Sequence, residues 1–162
     1  FEELIASWAK RADVLEEQWN TSNRNYAKDN MLLKRLGHAK KIQIELSTEE
    51  SVELSRLEAE VPVQKQALDE LDTQQRDIKR YVGAAEGFLQ LLEKTPEQIE
   101  EEDRSYLLED GAHIGKLLID CAENDKKFKD LAEEDQSLVT GYANIFQRES
   151  ENRMKEILEV TV

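Results

Sequence analysis

Apolar side chains recur at steps of three and four from the first residue onward. Phe1, Ile5, Trp8, Ala12, Leu15 and Trp19 form one stripe, which continues through Tyr26 to Leu32, Leu33, Leu36, Ala39, Ile42 and Leu46. That period predicts an amphipathic helix over 1–46. The stretch NTSNRN at 20–25 interrupts it with side chains that compete for backbone hydrogen bonds. Because the stripe resumes in phase at Tyr26, this stretch reads as a solvated or irregular turn of one helix. The first firm stop is STEE at 47–50, where Ser47 and Glu50 have the spacing of a capping box.

A second helix is predicted over 48–94. Leu54, Val61, Leu68, Gln75, Val82 and Leu89 occupy one heptad position, and Leu57, Gln64, Leu71, Ile78, Ala85 and Leu92 the other. Pro62 falls inside this run, where a missing amide and a ring clash predict a kink or, alternatively, a true break. The heptad phase survives on both sides of it, which favours the kink. Gln64 and Gln75 either fix the register of the core or mark the approach of a partner helix. TPEQ at 95–98 is a second capping signal, with Pro96 at the first helical position. A third stripe then runs through Leu107, Ile114, Leu117, Cys121, Phe128, Leu131, Leu138, Tyr142 and Ile145, and fades toward Met154, Ile157, Leu158 and Val160. It predicts one helix over 96–160, with Asp110-Gly111 as a soft spot.

Short connections force successive helices antiparallel. The expected fold is therefore all-α, an elongated antiparallel three-helix bundle occupying 1–162 as a single domain, with the third helix overhanging its partners. The expected core includes Trp8, Leu15, Trp19, Leu68, Leu71, Ile78, Leu117, Cys121 and Phe128.

Charge narrows the function classes. The chain has 36 acidic and 22 basic residues and a net charge of -14. That balance argues against nucleic acid and anionic membrane as partners. Cys121 stands alone, which excludes an internal disulfide and fits a reducing, cytoplasmic setting. With no signal peptide or bilayer-spanning run legible, the chain reads as a cytoplasmic piece of something larger. The positive charge is concentrated: Lys34, Arg35, Lys40 and Lys41 on the first helix, and Lys126, Lys127 and Lys129 on the third, form a candidate interaction patch. In the antiparallel layout these clusters fall at one level, away from an acidic end. The alternative is that the first cluster merely complements a helix C-terminus and nearby acids.

Candidate chemistry is sparse. Asp110 and His113 lie one helical turn apart and could begin a metal site, but a third and fourth ligand at suitable spacing are lacking. The simpler reading is a surface histidine. Cys121 sits on the core stripe, where a buried filler is favoured over a reactive nucleophile. No phosphate-cradling loop or nucleophile elbow is legible, so the expectation is a non-enzymatic protein with no cofactor and no metal.

FEELIASWAKRADVLEEQW, with Trp8 as core tryptophan and Trp19 as a second candidate, together with the three-helix layout and the overhanging last helix, resembles a spectrin repeat of the spectrin/alpha-actinin superfamily. The resemblance implies a structural spacer and protein-interaction rod of a cytoskeletal scaffold or crosslinker. Its partners would be proteins, with self-association as an antiparallel dimer among them. The alternative is a BAR-like or trafficking-related membrane-associated bundle, for which a proline-kinked helix is suited and the acidic balance is not. A ligand-sensing helical bundle is a third reading.

Overall fold

A computed structural model describes residues 2–94, 97, 99, 103, 104 and 110–161, with the side chains of 159–161 excepted. Among these the chain is all helical: α1 spans Glu2–Lys41, α2 Thr48–Glu93, α3 Gly111–Asn124 and α4 Glu133–Thr161, with a 3-10 turn at Phe128–Asp130. Acidic residues open α1, α2 and α4, and His38, Lys40 and Lys41 close α1, so the termini carry the charges their dipoles favour. None of the described helices is long and apolar enough to cross a membrane.

The first helix runs through 20–25 without interruption. It ends earlier than its apolar stripe. The Ile44 amide donates to the Ala39 carbonyl at 2.9 Å and the Gln43 amide to the Lys40 carbonyl at 3.2 Å. With Gln43 at φ 65°, this is a Schellman cap whose left-handed position holds glutamine instead of glycine. Chain reversal then leads directly into the capping box. The Ser47 amide donates to Glu50 Oε1 and the Glu50 amide to Ser47 Oγ, each at 3.1 Å.

Pro62 lies within an unbroken α2. It is exposed, as is Glu58 one turn earlier, so the carbonyl that loses its amide partner there can be solvated.

The third stripe departs from expectation. Instead of one helix over 96–160, α3 stops at Asn124, an irregular segment follows, and α4 begins at Glu133. Asp125 takes the left-handed conformation (φ 49°, ψ 44°), and the Lys126 amide returns to the Cys121 carbonyl at 3.2 Å. Asparagine and aspartate tolerate this conformation, which is why the helix can end there without glycine. The Asp110-Gly111 soft spot is where α3 begins. The expected cap at 95–98 and the Leu107 position lie outside the described residues, apart from Glu97.

The chain forms two compact units, residues 13–75 and residues 1–12 with 76–162. In the first unit, α1 and α2 pair around Leu36, Leu54, Leu57 and Val61, flanked by Tyr26, Leu32, Leu33 and Leu46. Gln64 donates to Asp29 Oδ2 at 2.9 Å across this pair, which gives the core glutamine an internal partner. Leu15 and Leu68 are buried, whereas Trp19 and Leu71 are only half-buried. Two helices can cover only one side of each other, and α1 and α2 are the helices of this unit.

In the second unit α2 is buried far more broadly. Asp77, Ile78, Tyr81, Ala84, Ala85, Gly87, Phe88 and Leu91 are all buried, an arc of roughly 180° at about 100° per residue. Leu92, expected on the core stripe, is 53% exposed, while Val82 and Leu89 are half-buried. The core turns toward Tyr81 and Phe88 because α1, α3 and α4 elements all converge there. Trp8 stacks on Tyr81 with ring centres 5.7 Å apart, and Phe88 meets Tyr142 edge-on at 5.9 Å. Ile78, Leu117 and Cys121 are buried here, but Phe128 is half-buried because it sits on the irregular segment.

Candidate functional site

The segment 125–132 is held by side chains from three helices. Asp77, 6% exposed, accepts a hydrogen bond from the Phe128 amide at 3.1 Å. Tyr81 donates its hydroxyl to the Lys126 carbonyl at 2.8 Å. Gln136 donates its side-chain amide to the carbonyls of Phe128, Lys129 and Leu131 at 3.1, 3.3 and 3.1 Å. Arg80 lies 3.7 Å from Asp77 and places its guanidinium 4.3 Å from the Phe128 ring centre, while Arg11 pairs with Asp125. Several of the backbone groups that leave the helical ladder in this segment are thus given a side-chain partner. Asp77, Tyr81 and Gln136 were not singled out from the sequence. Asp77 beside the core residue Ile78 is the signal that points to them, since an acid on a buried face requires a donor.

A surface groove of about 740 Å³ lies beside this segment, lined by His113, Lys116, Asp120, Lys126, Asp130 and Asp135 among others. Its charges are largely turned on each other. His113 Nε2 lies 2.8 Å from Asp135 Oδ1, so the histidine's partner is on α4 and not Asp110. Lys126 lies 2.5 Å from Asp120, whose other oxygen accepts from Asn124 at 2.5 Å. The Lys126 ammonium, and after it the Asn124 amide, hold the Asp120 carboxyl below its usual range. Among the described residues, no three His, Cys, Asp or Glu side chains are grouped to hold a metal.

Cys121 is 2% exposed, and burial pushes its thiol pKa upward. Burial likewise pushes the Tyr81 phenol well above its ordinary value. Neither is poised as a nucleophile or base at neutral pH.

The basic patch divides between the two units. Lys34, Arg35, Lys40 and Lys41 are exposed on α1 in the unit 13–75, and none forms an ion pair among the described residues. Lys126, Lys127 and Lys129 belong to the other unit, on the segment between α3 and α4, where Lys129 lies in the 3-10 turn and Lys126 is engaged by Asp120.

Comparison with protein-family models, with curated proteins and with solved structures returns no match. The reading of function therefore rests on the residues and their geometry.

Proposed function

We propose that the chain is a non-enzymatic structural spacer and protein-interaction module of the kind used in cytoskeletal scaffolds, in the manner of spectrin-type repeats. The observation that carries this reading is the length of α2, 46 residues without interruption at Pro62. At about 1.5 Å per residue, the 28 residues 48–75 that lie in the unit 13–75 are about 42 Å long. Such a helix is a poor container for a reaction and a good fixed-length strut. Burying Asp77 to tie down 125–132 serves rigidity in the same way. The antiparallel three-helix arrangement belongs to this reading. Along residues 13–75, α1 and α2 supply two helices and a protein partner would lay a third against them. Exposed, unpaired lysines and arginines on α1 suit an acidic protein surface, and the net charge of -14 disfavours polyanions and anionic lipid.

Proximity biotinylation tests the proposal. A promiscuous biotin ligase fused to the chain should label filament-associated proteins above the level of ligase alone. Enrichment of membrane-remodelling proteins with no filament proteins would contradict it.

A further inference from the structure

The unit 13–75 carries two exposed stripes of opposite charge on faces away from its core. On α1 the stripe is Arg24, Lys28, Met31, Arg35 and His38, spaced by steps of three and four. All five are exposed, with Met31 at 67%, and none of the three cations is ion-paired among the described residues. Over 24–41 this helix has six basic residues and one acidic.

The stripe on α2 is its complement. Glu49, Val52, Arg56, Glu60, Val63, Ala67 and Glu70 are exposed on one face, with Val52 at 64% and Val63 at 65%. Over 48–75 this helix has eight acidic residues and two basic, and both of the basic ones are paired within it, Arg56 with Glu53 and Glu60 and Lys65 with Asp69. The α1 stripe thus sets Met31 among positive charges, while the α2 stripe sets Val52 and Val63 among acids and one arginine, Arg56, that Glu53 and Glu60 already neutralise; opposite net charge is a means by which helices choose a partner.

We infer that the basic stripe of α1 in one copy packs along the acidic stripe of α2 in a second copy. This takes the protein-binding reading above and names its partner. A polyanion would meet the same cations, but the rest of a chain at -14 would repel it, whereas α2 of another copy presents the acids at helical spacing. Because the contact joins two different stripes, an associated pair keeps one stripe of each kind free. Assembly is then heterologous, and it grows past two copies unless a ring closes.

Paired charge-reversal variants test the inference by sedimentation velocity. One carries Lys28→Glu and Arg35→Glu, the other Glu49→Lys and Glu60→Lys. Wild type should associate beyond a dimer at low salt and weaken at least about tenfold as the Debye length falls from about 10 Å at 0.1 M to about 3 Å at 1 M. Each variant alone should be monomeric with unchanged helical circular dichroism, and an equimolar mixture of the two should associate again. A monomeric wild type at low salt overturns the inference, whether or not it pellets with anionic vesicles. So does association that survives both reversals. Neither result bears on the filament labelling that tests the spacer reading.

Discussion

A Cβ built on Gly87 would overlap the backbone carbonyl oxygen of Tyr142, so α2 and α4 meet backbone to backbone at this point. Gly83, one turn earlier, would place its Cβ 3.3 Å from that of Ala143. Gly87→Ala must therefore push the helices apart and should cost about 1–3 kcal/mol, in the range for overpacking. Gly37 offers the opposite case, with nothing within 4 Å of its Cβ position inside α1. Gly37→Ala should stabilise by about 0.5–1 kcal/mol. Urea unfolding of the two variants checks both signs; a stabilising Gly87→Ala would mean that the helices are not in this contact.

Gln43 occupies a left-handed position that favours glycine. Gln43→Gly should raise stability by about 1 kcal/mol, and Gln43→Val should lower it by at least as much. If the two substitutions shift the melting temperature alike, α1 does not end in this cap.

The clasp on 125–132 predicts a local effect. Asp77→Ala leaves the Phe128 amide without its acceptor and should cost about 1–3 kcal/mol. Hydrogen exchange provides the finer readout: the Phe128 amide should lose protection in this variant, while the Ser51 amide, bonded to the Ser47 carbonyl at 2.9 Å, should keep its own. Equal protection at Phe128 in both proteins would remove Asp77 from the clasp.

Tyr81 and Cys121 predict the alkaline behaviour. Burial raises the phenol pKa in the folded state, so the stability Tyr81 confers is complete below its unfolded value, about 10, and is lost as pH rises above that. Tyrosinate absorbance at 295 nm should therefore show Tyr81 titrating together with unfolding, and Tyr81→Phe should remove that component. The Cys121 thiol, raised by burial, should resist a thiol reagent at neutral pH until denaturant is added. Rapid labelling of the native protein would place Cys121 at the surface.

Much of the backbone was legible from the sequence, and the exceptions have physical causes. The capping box at Ser47 and Glu50 is a local signal made by two residues, and it forms between those two. Continuity through 20–25 and through Pro62 followed from an apolar phase that resumes unshifted on the far side of each. The break after Asn124 was hidden because Cys121, Phe128 and Leu131 keep steps of seven and three across a segment that is not α-helical. Asn124-Asp125 was the visible stop signal, since both residues tolerate the left-handed conformation. Phe128 was placed in the core by the same false continuity. Trp19 and Leu71 were placed there on the assumption of a third helix along the unit 13–75, where two helices stand. The clasp itself depends on Asp77, Tyr81 and Gln136, up to 59 positions apart in the chain, and no local pattern links them.

The central claim is that α2 is one stiff helix through Pro62. Spin labels at Ser51→Cys and Thr73→Cys, in a Cys121→Ala background, measure it by dipolar spectroscopy. Both sites are exposed and lie on either side of the proline. At about 1.5 Å per residue the backbone separation is about 33 Å, and the account predicts a single narrow distribution near that distance. A broad distribution, or one centred well short of it, would mean that the helix breaks at Pro62 and cannot serve as a strut.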